Sequence, residues 1–414
     1  MNAQSDQALL SWISSRQSWM LEQTQQLAQI NSGTFNAQGV SQVAQALVEI
    51  ARPLNAQVEK IALPAFRTVN LNGEREEREL GPALSLIKRP DSPRQILLCG
   101  HLDTVFADND PFQQTRWLDD ERLNGPGLTD MKGGLLILLT ALMALEQHPE
   151  AEQLGWRVIM NPDEEIGSPC SADLLREAAE TAKLGLVFEP LLPDGAYAGE
   201  RKGSGNFTLI VRGRTAHAGR EIENGRNALR ALCDLIIELD NLNGRRQGVS
   251  INPARFHTDV PLNRVPDLAV AQFNIRTQSH DDEHWLHQQL SRLALGLNGR
   301  EGYSLEIEGS FSRHPKRLTP ANQALFKLLC HCASTLDIPT QIKPTGGCCD
   351  GNNLAAAGLP NIDTLGAEGG SIHSADEFLI VSSLSRRAQL TASFLLAVAR
   401  GELDSVLWPH LNGG

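Results

Sequence analysis

No apolar run in the 414 residues approaches the length of a bilayer crossing, so no membrane-spanning helix is expected. The N-terminal stretch MNAQSDQALLSWISSRQSWMLEQTQQLAQI has neither a basic n-region nor an uninterrupted apolar h-region. It reads as an amphipathic helix, and with no secretory signal visible the expected compartment is the cytoplasm. A disulfide framework is missing too. The seven cysteines (Cys99, Cys170, Cys233, Cys330, Cys332, Cys348 and Cys349) are odd in number and irregularly spaced, which suits buried thiols in a reducing compartment. There is no basic stripe: 37 Lys and Arg stand against 49 Asp and Glu, and a formal net charge of -12 repels nucleic acid and anionic membrane surfaces. Neither is an expected partner, and a small molecule is. Internal repeats and low-complexity segments are likewise absent.

What is present is an ordinary globular composition, 41% hydrophobic and 21% charged, on a chain too long for one ordinary core. Two domains, or one large domain with an insertion, are therefore expected. Apolar runs that suit buried strands recur in the first half: QILLCG (95–100), WRVIMN (156–161) and LGLVF (184–188), with a helix expected over Met131 to His148. Such alternation predicts an α/β fold, a mostly parallel sheet with helices on both faces. Each run is followed at once by a histidine or glutamate: His101, then Glu164 and Glu165, then Glu189. In open α/β sheets the functional crevice lies beyond the carboxyl ends of the strands, so these residues are candidates to converge.

The middle of the chain changes pattern. Strands are expected at 206–212, 254–258, 268–276 and 303–311, with helices at 224–242 and 281–297. The order β-α-β-β-α-β is that of a ferredoxin-like unit, read here as an insertion. The predicted division is a catalytic domain in two parts, 1–202 and 317–414, around a lid and dimerisation domain, 203–316. The crossing points would be Gly203 with Gly205, as a hinge, and the SRHPKR segment at 312–317. Afterwards the α/β pattern resumes, with helices at 320–335 and 382–400 and a strand near 361–366.

Chemistry concentrates in a few contexts: GHLDTVF with His101, GPGLTDMKGG with Asp130, NPDEEIGS with Glu164 and Glu165, FEP with Glu189, and GGSIHSADEF with His373. Two histidines and several carboxylates form a mixed N/O donor set that suits zinc, and one carboxylate too many for a single tetrahedral ion suggests two ions sharing a bridge. Asp130, flanked by glycines at a helix start, is the natural bridge. In a regular strand Glu164 and Glu165 point opposite ways, so one can face metal while the other faces a reacting water. Ser168 is expected to cap the following helix, with Pro169 at its first position. Cys330 and Cys332 face different sides of a helix and make no metal pair, and GSGNF opens a strand rather than a phosphate-binding helix.

This ordered series, continued by GRTAHAG, PLNRVP and TGGCCDGN, resembles the M20 metallopeptidases, which include glutamate carboxypeptidase, aminoacylase, acetylornithine deacetylase and succinyl-diaminopimelate desuccinylase. The look is nearest the glutamate carboxypeptidase branch, because Glu189 stands where several relatives carry aspartate. The resemblance implies two zinc ions per chain, replaceable by cobalt or manganese. One is held by His101, Asp130 and Glu189, the other by Glu165, Asp130 and His373. It makes Glu164 the general base and Asp103 the carboxylate that orients the His101 imidazole. Substrate binding falls to Arg276, whose fork matches a carboxylate, to Asn263 and to Gly370. His217 would reach across a homodimer, formed through the inserted domain, into the partner's active site.

The implied activity is carboxypeptidase-type hydrolysis of a peptide or N-acyl amino acid by a hydroxide shared between the metals. The alternative is an N-acyl amino acid deacylase of the acetylornithine deacetylase or aminoacylase type, and a metal-free binding or scaffold protein of the same fold stands further off. One departure concerns Cys348 and Cys349, which precede Asp350 where relatives usually show glycine and then threonine or serine.

Overall fold

The run QILLCGH forms the strand Gln95–His101, buried along almost its whole length at the middle of a six-stranded sheet. In this computed structural model, which describes residues 3–411, the sheet order is 57–61, 83–88, 155–161, 95–101, 184–187, 361–362. The first two pairings are antiparallel and the other three parallel, the mostly parallel arrangement expected.

Side chains alternate between two apolar layers. Ile96 and Leu98 face the larger core, with the helices Gly133–Leu145 and Ser383–Ala399, while Leu97 and Cys99 face Leu175 and Ala178 of the helix Ala172–Thr181. Both faces are covered, which is why these strands carry unbroken apolar runs.

All thirteen residues of Gly133–Leu145 are buried. With the turn before it the segment reaches eighteen residues at mean hydropathy 1.6, long and apolar enough by composition to cross a bilayer. That corrects the expectation that no run approaches a span; the segment is instead wholly buried as the central helix of the fold. The helix expected over Met131 to His148 is shorter because residues 128–132 form a wider turn in which Asp130 and Met131 leave helical geometry. Gly134 lets the helix lie against the sheet: a Cβ there would stand 2.2 Å from the carbonyl oxygen of Phe188. Gly134→Ala should therefore lower stability by roughly 1–3 kcal/mol, read as an earlier denaturant midpoint.

At the N-terminus the single helix expected is two, Ala3–Ser14 and Gln17–Ala28. Ser168 is not the cap of the next helix. That helix starts at Ala172 after a turn, and Ser168, with φ 54°, turns its hydroxyl to Asp350 instead.

Residues 203–313 form a second, antiparallel sheet in the order 250–257, 268–277, 203–212, 304–313, packed on the helices Ala228–Asp240 and His280–Asn298 around a separate core. The β-α-β-β-α-β order is the expected one. The helix expected from 224 begins at Ala228 because the Asn227 side chain accepts from the Arg230 N–H and caps it there. Pro253 sits at an irregularity of the edge strand Ser250–His257, where proline does least harm to a ladder. Gly203 and Gly205 are not a hinge: both are paired residues of the strand Gly203–Arg212, and Gly203 is needed because a Cβ would stand 2.4 Å from Thr277 Oγ1.

Candidate metal centre

The carboxyl ends of three neighbouring strands meet the start of the central helix. His101 ends its strand, Glu164 and Glu165 follow Asn161 in a short helical turn, and Glu189 lies two residues beyond Val187. The Asp130 side chain spans the group. Its Oδ1 is 3.1 Å from His101 Nε2, and its Oδ2 is 3.2 Å from His373 Nε2. Glu189 Oε1 stands 3.9 Å from the first imidazole and Glu165 Oε2 3.3 Å from the second. The five residues expected to face metal are thus brought together. His373 holds a left-handed φ of 63°, uncommon for a residue with a side chain and of the kind that collects at functional sites.

Asp103 does more than expected. Its backbone carbonyl accepts the His101 Nδ1 hydrogen at 2.9 Å, with carboxylate Oδ1 at 3.4 Å. The same carboxylate accepts the N–H groups of Glu164 and Glu165, both at 3.2 Å, and the Thr34 hydroxyl at 2.6 Å. One buried aspartate therefore sets both an imidazole and the glutamate turn. With Nδ1 donating to that carbonyl, Nε2 is the ring nitrogen left to face the Asp130 carboxylate.

Three supporting residues escaped sequence reasoning. Glu377, buried, accepts from the N–H groups of Gly127, Thr129 and Asp130, and so shapes the turn that presents Asp130. Burial, with the Asp130 charge, pushes its carboxyl up to about 7. Arg313, at the end of the last inserted strand, donates Nη2 to Glu164 Oε1 at 2.7 Å and Nη1 to Asp350 Oδ1 at 2.8 Å. Glu377 and Asp350 lie inside motifs already singled out, and Arg313 lies in SRHPKR. No local pattern there marks a buried role.

Burial pushes the carboxyls of Glu164 and Glu165 up to about 7 and about 8, opposed at Glu164 by Arg313 and reinforced at Glu165 by Asp130. Glu189 is driven well above the ordinary carboxylate range by burial and by the neighbouring Glu164. Asp130 stays ionised: burial resists, but hydrogen bonds from His101 and His373 hold it well below the usual range. Those bonds raise the histidines in turn, His101 against its own burial and His373 to about 11. The three glutamates thus lack compensating positive charge, and the two histidines take up protons to supply it to Asp130. The buried Oε1 of Glu189, which has no hydrogen-bond partner among the described residues, points to the same need. This N/O donor set fits a divalent cation.

The remaining expected residues lie on the inserted sheet or at the rim. Arg276 is half-buried; its Nε donates to Asn274 Oδ1 and its Nη1 to Cys348 Sγ, both neutral groups. It pairs in register with Ser204, which pairs with Arg313, so Arg276 lies two strands, about 10 Å, from the arginine that holds Glu164. Cys348 thus lies against Arg276, whereas Cys349 is buried and accepts the Gly351 N–H. Gly370 pairs with Phe378, whose ring a Cβ would approach to 2.9 Å. His217 and Asn263 are exposed neighbours, joined where the Ala218 N–H meets the Asn263 carbonyl, and His217 Nδ1 accepts from Gly219 N. Among the described residues His217 belongs to none of the groups of ligand-bearing side chains that include His101.

Residues 97–397 match the sequence model of "Peptidase family M20/M25/M40". The chain is 24% identical over 416 residues to carboxypeptidase G2 of Pseudomonas sp. (strain RS-16), covering 96% of this chain and 93% of that one. It is 26% identical over 331 residues to succinyl-diaminopimelate desuccinylase of Helicobacter pylori (strain J99 / ATCC 700824), covering 75% and 80%. Among solved structures, an M20 family metallo-carboxypeptidase from Sulfolobus solfataricus superimposes with a TM-score of 0.72 at 17% identity, covering 92% of this chain and 99% of that one.

Proposed function

Since the chain belongs to peptidase family M20/M25/M40 and is a hydrolase of peptide or amide bonds, we propose that it is a two-zinc carboxypeptidase that releases a C-terminal amino acid from a peptide or N-acyl amino acid. Glutamate is the first side chain to test. The observation that carries the two-ion reading is Asp130, whose two oxygens each face a different imidazole. His101 and Glu189 complete one site, and His373 and Glu165 the other. The three carboxylates Asp130, Glu165 and Glu189, once ionised, carry negative charge that two divalent cations would offset.

Bound zinc would supply Lewis acidity, lowering the pKa of a water and polarising the scissile carbonyl. The rest falls to the chain. Glu164 takes the water proton as the carbonyl is attacked and returns it to the departing amine. Arg313 binds Oε1 and the backbone carbonyl of Glu164, so the carboxylate is fixed with Oε2 left for the proton. Arg276 binds the substrate carboxylate, with Asn263 and Gly370 lining the same cleft and His217 of a second copy supporting the oxyanion. Residues 203–316 serve as lid and dimerisation domain between the catalytic parts 1–202 and 317–414. Their separate core supports this, and exposed Phe256, Leu262 and Ile222 support a homodimer through that domain.

Asp130→Ala should empty both sites, so that zinc content by elemental analysis falls by two ions per chain. A variant that keeps one of them would overturn the bridge. Arg276→Ala should raise KM for substrates with a free α-carboxylate by roughly tenfold or more, the effect of losing about 1.5–3 kcal/mol of charged hydrogen bonding, and hardly affect amidated analogues. Equal effects on both would make Arg276 structural. The similarity to a desuccinylase favours a second reading, an N-acyl amino acid deacylase. A panel of C-terminal glutamate peptides against N-acyl amino acids separates the two.

A further inference from the structure

A second group of ligand atoms converges away from the catalytic cluster, at the seam where the inserted sheet returns to the main fold. His280 opens the helix His280–Asn298, Glu283 stands one turn later, and His314 directly follows the strand Ser304–Arg313. Both imidazoles aim Nδ1 at one oxygen of Glu283: His280 at 3.0 Å and His314 at 2.8 Å. The ligand atoms of the three residues all lie within 4.8 Å of one another.

Two imidazole nitrogens on one carboxylate could be no more than a pair of N–H bonds. The other oxygen of Glu283 argues for more. Glu283 is only 5% exposed, yet its Oε1 is buried without a hydrogen-bond partner among the described residues. A buried carboxylate oxygen left without a donor is costly, and a cation bound to the carboxylate would satisfy it. The seam also has an entry path. A surface cavity of about 410 Å³ is lined by His280 together with Gln278, Ser279, Asp282, Pro315 and Arg317. The backbone is held on both sides: Ser279 and Asp282 form a reciprocal cap at the start of the helix, and Asn352 Nδ2 donates to the His314 carbonyl at 2.6 Å.

We propose that His280, Glu283 and His314 bind a further zinc ion, independent of the catalytic cluster. Two nitrogens and a carboxylate make a three-ligand set, with water from the cavity as the fourth ligand of a tetrahedron. The ion takes the place of the two Nδ1 hydrogens, each ring then carrying its proton on Nε2, and ties the helix His280–Asn298 to the segment that returns from Arg313. The proposal does not rest on the function assigned to the catalytic cluster.

Zinc content after loading and exhaustive dialysis is compared for wild type and His280→Ala, with Glu283→Gln as a second variant and anomalous scattering at the zinc edge locating the ions in wild-type crystals. His280 is well exposed, so its removal leaves the fold intact. Each variant should bind one ion fewer than wild type, and an anomalous peak should lie between the three residues. If the catalytic cluster holds fewer ions than proposed, both totals fall and the difference of one remains. Equal zinc content in wild type and His280→Ala, or a peak that forms only on soaking crystals in concentrated zinc, overturns the site.

Discussion

Glu164→Gln should retain the metal content of the wild type and lose turnover by roughly two to four orders of magnitude, the usual contribution of a general base. The amide matches the carboxylate in shape, and its oxygen can still accept from Arg313 Nη2, so the turn held by Asp103 keeps its position. What disappears is a site for the proton. The substitution also tests how the two glutamates divide their roles. Glu165 meets His373 and Asp130, whereas Glu164 is held by Arg313; yet a Glu164 oxygen also comes within 4.8 Å of ligand atoms of His101 and Glu189. If Glu164→Gln sheds an ion, Glu164 is a ligand and the proposed assignment is reversed. Elemental analysis beside kcat on the same preparation separates the outcomes.

His101, Glu164, Glu165 and Glu189 stand out in the chain because each lies at or just beyond the end of a buried strand, where an apolar run gives way abruptly, whereas His373 lies in a turn and is marked only by its motif. The supports do not stand out. Arg313 and Asp350 lie thirty-seven residues apart and about 150 or more from Glu164, so their contact belongs to the tertiary fold alone. The turn at Asp130 departs from a plain helix start for the same reason, since the carboxylate that holds three of its N–H groups arrives from Glu377. Gly203 and Gly205 misled in another way. Glycine serves hinges and close packing alike, and here the neighbouring strands, not the glycines, decide which. The central helix reaches the length of a span only together with its turn, whose polar residues Asp130 and Lys132 are buried with the rest.

His217→Ala should be inactive alone, and mixing it with inactive Glu164→Gln should restore activity. His217 stands on an exposed turn of the inserted domain, beside Asn263 and the fully exposed Leu262. An imidazole placed there serves its own metal-facing cluster poorly, but a symmetric contact between inserted domains would bring it to the partner's site as a donor to the oxyanion. In a mixed dimer the Glu164→Gln chain still carries His217, and its partner still carries Glu164, so one of the two sites has both. Random exchange at equal amounts makes about half the dimers mixed, each with one working site, and roughly a quarter of wild-type activity should return. Subunit exchange is followed independently by labelling the two variants. If exchange proceeds and no activity returns, His217 does not act across the interface, and its bond with the Gly219 N–H is its whole role.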